Sequence, residues 1–283
     1  MVQQNALALS SKYSSLPPSK KDQLVSYLPD TLKQALTDPG FPQQIIPVNL
    51  TIEKLTRRVD VSHFKEFLQT LSSCDRQLFI SAFPKYKQVQ LSDTPTQFGG
   101  FKSEGLSNVA LTMLFEKALT DFPPPAYLPF HPLIEILGDT GVALSKLVYF
   151  LGLFDVAAEV KKIISQKTLK TLQNAFDAQE IFFLNATARR EEIKALPPIH
   201  LEQYNGNVNQ LKDFILERGI VRFARGIHNA PTQYHFFITY FLPKKIGKEV
   251  NHWLKNKQRL AIDYNNWESD ILETWRFLCT YSQ

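Results

Sequence analysis

The sequence has 283 residues, of which 44% are hydrophobic and 21% are charged, a balance that excludes an intrinsically disordered chain. The formal net charge of +5 is modest for this length, so the overall charge alone does not indicate a nucleic-acid-binding protein. The two cysteines, Cys74 and Cys279, lie far apart, which argues against a disulfide framework or a zinc site and predicts buried free thiols in a reducing compartment.

The N-terminus lacks both the basic start and the long apolar centre of a secretory signal, so export by that route is not expected. The longest apolar run, Leu147–Phe154, is much shorter than the roughly 20 residues that a membrane span needs. It predicts a buried core helix. Together these features predict a cytoplasmic protein.

Two similar amphipathic segments occupy the N-terminal third, at residues 16–29 and 71–84. Each starts with leucine, continues through a polar stretch that contains aspartate, and closes with an apolar residue before Pro29 or Pro84. Repeated helix pairs that bury one face against the next pair are typical of α-solenoids. A repeat origin and a chance similarity between two amphipathic helices both account for the match.

Stretches rich in turn-forming residues interrupt the chain and predict domain boundaries. Residues 91–101 combine glycine and proline with polar side chains, whereas residues 122–132 are rich in proline and should be extended and stiff. A third break falls at residues 195–200. The predicted helical domains are 1–95, 96–196 and 197–283.

Apolar residues recur with helical periodicity along most of the chain, and no comparable segment alternates with period two. The stripes consist of Leu106, Val109, Ala110, Met113 and Leu114; of Val156, Val160, Ile163 and Ile164; of Tyr234, Phe237, Ile238 and Phe241; and of Ile246, Val250, Trp253 and Leu254. The prediction is an all-α protein built from short antiparallel helix pairs.

Caps, prolines and glycines indicate where these helices begin and end. Two pairs of residues have the spacing of a capping box, in which a side chain at each end satisfies a backbone amide. These pairs are Asp177 with Glu180 and Asn265 with Glu268. Pro132 and Pro243 mark further boundaries. Gly219 and Gly226 each follow an arginine and are predicted to end helices in a left-handed conformation.

Basic residues are concentrated at 244–259, where Glu249 is the only acidic residue. Lys244, Lys248 and Lys255 stand at i, i+4 and i+11, which places them on one helix face, opposite the apolar stripe. Three interpretations stay open: a solvated helix surface, a contact for an acidic protein partner, or a surface for nucleic acid or anionic lipid.

The sequence contains no motif that indicates catalysis. Gly99-Gly100 followed by Gly105 matches neither a dinucleotide-binding fingerprint nor a phosphate loop. The histidines form no metal-binding pair at i, i+4, and no nucleophile elbow occurs. We therefore predict a non-enzyme with no catalytic, cofactor-binding or metal-binding residues and no small-molecule substrate. An enzyme whose site assembles from residues far apart in sequence stays an open alternative.

Segments 16–29 and 71–84 resemble the short helix-pair units of the flagellar motor switch protein FliG. Phe130-His131-Pro132 is similar to the histidine-proline helix start through which that family contacts the next ring protein, although the flanking acidic residue and glutamine are missing. Residues 157–164 and 218–224 resemble the SctK-like cytosolic adaptors of type III secretion systems. No equivalent of the charged torque helix of the rotor protein is found, which favours the secretion adaptor.

This resemblance implies an armadillo/FliG-like right-handed α-solenoid with two or more helical subdomains. It also implies a non-catalytic bacterial adaptor that links cytosolic platform proteins to an inner-membrane ring and reaches the membrane only through its partners. Partners are then protein components of a secretion or flagellar-type apparatus. The residues expected to bind them are Phe130, His131, Pro132, Lys244, Lys248 and Lys255. The alternative is a basic helical-repeat protein that binds nucleic acid through residues 244–259.

Overall fold

The computed structural model is predominantly helical in the part of the chain that it describes, which confirms the predicted all-α class at this level. The described residues are 17, 20, 27–28, 45–47, 56–92, 113–115, 117–118, 127–138, 142–163, 166–190, 196, 201, 206–256 and 266–281. The α-helices are α1 (Lys65–Thr70), α2 (Ser73–Ser81), α3 (Lys85–Leu91), α4 (Leu144–Val160), α5 (Gln166–Gln173), α6 (Ala178–Ala188), α7 (Val208–Ile227), α8 (Thr232–Phe241), α9 (Lys244–Lys255) and α10 (Trp267–Tyr281). Short 3₁₀ helices cover Val61–His63 and Pro132–Leu137.

Two three-residue strands, β1 (Ile45–Pro47) and β2 (Tyr127–Pro129), pair in an antiparallel register that sets Ile46 opposite Leu128. Segments this short show too few side chains for an alternating pattern, so the sequence did not predict them. They are a minor addition to the helical architecture.

The chain divides into two compact units. The first contains residues 1–134 and 231–237, and the second contains residues 135–230 and 238–283. Helix α8 therefore contributes its first part to one unit and its last part to the other. The division into domains at 1–95, 96–196 and 197–283 stays a prediction.

The core of the first unit is a cluster of four buried phenylalanines, Phe64, Phe79, Phe83 and Phe115. Every pair among them is in contact, with ring centroids 4.9 to 5.7 Å apart. Such pairs each contribute about 0.5–1.5 kcal/mol beyond the burial of their apolar area. Phe79 belongs to α2, Phe64 precedes this helix, and Phe83 and Phe115 follow it, so the cluster holds these parts of the chain together.

A buried lysine stabilises the edge of this core. Lys87 on α3 is only 7% exposed, and its Nζ donates hydrogen bonds of 2.7 Å to the backbone carbonyls of Arg57 and of Val59. Arg57 lies within the helical turn 56–58 and Val59 follows it, so the lysine caps the carboxyl end of that turn. These two hydrogen bonds replace hydrogen bonds that the ammonium group would otherwise make with water.

Replacing Lys87 with methionine should lower the free energy of unfolding of the first unit by about 2–3 kcal/mol. The reason is that hydrogen bonds from a charged donor contribute about 1.5–3 kcal/mol, and the change leaves two carbonyls without their donor. Urea denaturation monitored by circular dichroism and amide hydrogen exchange would measure the loss. Lys85→Met, on the exposed side of the same helix, is the matched control and should change stability by less than about 0.5 kcal/mol. Equal effects of the two variants would contradict the capping role.

The core of the second unit forms around α4 and α7. Helix α4 is buried along most of its length, including all of residues 150–157, which confirms the predicted core helix. Helix α7 packs against α4, α9 and α10, and α4 packs also against α6 and α10. Each of these contacts lies within the second unit.

Helices α4 and α7 approach so closely that glycine is required on both. A Cβ atom on Gly152 would lie 1.9 Å from the carbonyl oxygen of Ile215, and one on Gly219 would lie 1.8 Å from that of Val148. Gly219 and Gly226 both lie within α7, which extends from Val208 to Ile227. The prediction that they end helices is therefore wrong. Among the described glycines, only Gly206, just before α7, has a positive φ, at 89°.

Several predicted boundaries are confirmed. Asp177 and Glu180 form a capping box at the start of α6, with hydrogen bonds of 2.8 and 2.7 Å. Pro84 and Pro243 cap α3 and α9, and Pro132 begins a 3₁₀ helix. The second predicted capping box includes Asn265, which lies outside the described residues. Most of the repeat unit at 16–29 and all of residues 93–101 also lie outside them.

Two side chains differ from their predicted environment. Met113, assigned to an apolar stripe, is 56% exposed, whereas Phe115 two positions later is buried in the phenylalanine cluster. At this point of the chain the core contact is therefore made by Phe115, which the predicted stripe did not include. Cys74 is exposed and Cys279 is half-buried, so the prediction of buried thiols is wrong for Cys74. Cys74 lies in the first turn of α2, whose core contacts are made by later residues.

Candidate partner-binding surfaces

Helix α9 presents basic side chains from a firmly anchored position. Its buried residues Ile246, Gly247 and Val250 face the interior of the second unit. A Cβ on Gly247 would lie 2.7 Å from the carbonyl oxygen of Thr239, so the helix packs directly on the end of α8. The Thr239 hydroxyl also donates a hydrogen bond of 3.3 Å to the side chain of Asn251. Together with its packing against α7, these contacts set the orientation of α9.

The opposite side of α9 carries the predicted lysines, and we call it the α9 cationic face. Lys248 and Lys255 are exposed, and Lys244 is half-buried. His252 is also exposed on this side of the helix, whereas Lys245 is exposed at the edge that faces α7. Neither residue is among those predicted to bind a partner. Lys257 and Arg259 lie outside the described residues.

Pro132 is the first residue of the second 3₁₀ helix, as the predicted boundary at this proline requires, and Phe130 and His131 precede it. Phe130 is 54% exposed and Pro132 is exposed, whereas His131 is half-buried. The His131 Nδ1 accepts a hydrogen bond of 3.3 Å from the amide of Leu133, and the ring lies 5.5 Å from that of Tyr234. His131 is therefore held within the fold, which leaves Phe130 and Pro132 as the more accessible side chains.

Burial raises the pKa of Tyr234 to about 12. A hydrogen bond with the backbone of His131 lowers this pKa, but its effect is smaller than that of burial. The phenol is therefore neutral at physiological pH and acts as a packing group.

The segment at 130–132 belongs to the first unit and the α9 cationic face to the second. The two predicted groups of partner-binding residues are thus carried by separate units.

A buried ion pair that the sequence analysis missed links α4 to α7. The Asp155 carboxylate accepts hydrogen bonds from Nη2 and Nε of Arg222, the latter at 3.2 Å, and from the amide of Leu196 at 3.1 Å. Both side chains of the pair are at most 2% exposed. Arg218, one turn earlier on α7, has its Nε 3.9 Å from the second carboxylate oxygen. The signal in the sequence was one aspartate inside the most apolar helix.

Aromatic rings surround the guanidinium groups of this cluster. The Arg222 guanidinium lies 5.3 Å from the Phe154 ring centroid and 5.0 Å from that of Trp267, and Arg225 lies 5.3 Å from Trp267. Burial, followed by the repulsion of Arg222, lowers the pKa of Arg225. Guanidinium groups stay protonated in proteins and make poor general acids or bases. The cluster therefore serves packing and orientation rather than proton transfer.

A second buried group has a structural explanation as well. Burial, together with the nearby carboxylate of Glu180, raises the pKa of Tyr149. Glu180 is itself held by the capping box of α6. The tyrosine therefore stays protonated and packs where α4 meets α6.

Within the described ranges, histidine, cysteine and carboxylate side chains form no group of three that suits a metal ion. In the same part of the chain, none of the helices combines the length and the apolar character that crossing a bilayer requires.

Comparison with known proteins gave no relative: no protein-family model, no curated protein and no solved structure matches the chain.

Proposed function

We propose that this chain is a non-catalytic helical adaptor that binds an acidic protein partner through the α9 cationic face. The observation that carries the proposal is the arrangement of α9 itself. Its buried side packs against α7 and, at Gly247, against Thr239 of α8, and lysines occupy its exposed side. A preorganised, exposed set of like charges favours association with a surface of opposite sign.

The resemblance to the type III secretion and flagellar proteins supplies the finer part of the proposal. The adaptor would link cytosolic platform proteins to an inner-membrane ring, remain cytoplasmic, and reach the membrane only through these partners. Stacking of its helix pairs as a right-handed α-solenoid belongs to the same proposal. The exposed Phe130 and Pro132 of the first unit would provide a second contact.

An acidic protein is favoured over nucleic acid by the side chains on the face. Its exposed basic groups on α9 are lysines and a histidine, without the arginine that reads bases or stacks on them. Trp253, which would be the natural stacking platform, lies on the other side of the helix. Binding to nucleic acid is therefore tested below as a competing outcome.

Reversing two charges of the face tests the proposal. The double variant Lys248→Glu/Lys255→Glu should weaken capture of ring and platform proteins of the apparatus by about tenfold or more, because attraction becomes repulsion. The matched control Lys170→Glu/Lys212→Glu makes the same net charge change at exposed positions on α5 and α7 and should bind normally. Co-purification and calorimetry with the purified partners would measure both.

Generic duplex DNA and RNA serve as competitors in the same assay. Binding to them that falls steeply with salt and is lost in the Lys248→Glu/Lys255→Glu variant would replace the adaptor function with nucleic-acid binding. Failure to recover any ring or platform protein would overturn the assignment to a secretion-type assembly.

A further inference from the structure

A groove of about 620 Å³ lies between α7 and α9 in the second unit. Phe214, Ile246 and Trp253 give it an aromatic and aliphatic lining. Trp253 and Phe214 are half-buried, so both rings are sheltered yet accessible. The volume is within the range of about 300–1,000 Å³ that is typical of ligand-binding clefts. Trp253 belongs to the apolar stripe of α9 that was predicted from the sequence, and it takes up this partly open position instead of a fully buried one.

The rim of the groove is acidic. Asp213 and Glu217, one turn apart on α7, and Glu249 on α9 are all exposed, against the single exposed lysine of the lining, Lys245. Arg218 also lines the groove, but its guanidinium lies 5.0 Å from the Phe214 ring and close to buried Asp155. The accessible charge of the groove is therefore opposite in sign to that of the α9 cationic face.

We propose that this groove binds a basic amphipathic helix of a protein partner. An apolar side chain of that helix would fill the space between Phe214 and Trp253, and its lysines or arginines would lie beside Asp213, Glu217 and Glu249. Two packed helices with acidic residues on both walls match the helix-in-groove mode of recognition. The described part of the second unit offers no strand edge that would favour an extended peptide instead.

This inference goes beyond the proposed function, because it assigns a second surface with the opposite charge preference. An adaptor that carries an acidic groove and a basic face on adjacent sides of α9 can distinguish two partners by charge alone.

The test uses the full chain and a synthetic helical peptide of leucine and lysine, about four turns long, with the apolar residues on one face. Fluorescence anisotropy should show saturable binding, and the tryptophan emission should shift to shorter wavelength. The chain has three tryptophans, and Trp267 and Trp275 are buried, so the shift should disappear in Trp253→Phe. A leucine-glutamate peptide of the same pattern should not bind.

Charge variants of the rim supply the decisive measurement, since exposed isosteric changes leave the fold intact. Asp213→Asn/Glu217→Gln/Glu249→Gln should weaken peptide binding about tenfold. Lys245→Gln should strengthen it. Lys248→Gln/Lys255→Gln, outside the groove, should not weaken it. Absence of saturable binding, equal affinity for the glutamate peptide, or an unchanged affinity in the triple variant would each overturn the proposal, whatever the α9 cationic face binds.

Discussion

Gly219→Ala should destabilise the second unit by about 2 kcal/mol or more, although alanine is the better helix former. The added methyl would lie 1.8 Å from the carbonyl oxygen of Val148, and neither backbone can move without separating α4 from α7. Overpacking of this kind usually costs about 1–3 kcal/mol, and a clash between two backbones is at the upper end because no side chain can rotate away. The propensity gain of about 1 kcal/mol offsets only part of the loss.

Thermal and urea denaturation of a graded series would test this expectation. Gly152→Ala meets the carbonyl of Ile215 at 1.9 Å and should cost as much as Gly219→Ala. Gly226→Ala meets the terminal methyl of Ile271, which can rotate, at 2.3 Å and the carbonyl oxygen of Trp267 only at 2.8 Å, so it should cost less. Asn209→Ala, exposed on the same helix α7, is the control and should change stability by less than about 0.5 kcal/mol. A stabilised Gly219→Ala variant would show that the helices are not in such close contact.

The same glycines show where prediction from sequence succeeds and where it fails. Capping boxes and prolines act over a few residues, so Asp177, Glu180 and Pro243 could be read correctly from local spacing. The role of Gly219 depends on Val148, which lies on another helix far away in the chain. A local pattern of arginine followed by glycine is equally compatible with a helix end and with a close helix crossing.

The candidate surfaces divide in a similar way. The α9 cationic face could be predicted because residues on one helix share a face at i, i+4 spacing, and Lys248 and Lys255 are exposed as that spacing requires. The acidic groove could not be predicted, because Glu217 and Glu249 come together only when α7 packs against α9. The buried pair of Asp155 and Arg222 likewise joins two distant helices.

The buried ion pair leads to the second large effect. Asp155→Leu should lower the free energy of unfolding by about 3–5 kcal/mol, because it leaves the Arg222 guanidinium buried without its counter-charge. Arg222→Met should cost a similar amount by leaving the carboxylate facing only Arg218 and the amide of Leu196. Denaturant unfolding of each variant would provide the two values.

The double variant Asp155→Leu/Arg222→Met decides between two accounts of the pair. If the cost of each single variant comes from the remaining buried charge, removing both charges should restore most of the stability, since apolar replacements of buried pairs are often neutral. The Leu196 amide would still lose its acceptor, so a residual loss of about 1–3 kcal/mol is expected. A double variant as unstable as the sum of the singles would instead mean that the two residues act independently. Glu273→Gln is the control for the loss of an ordinary ion pair, because Glu273 is an exposed carboxylate of α10 that pairs with Arg190. This variant should cost less than about 1 kcal/mol.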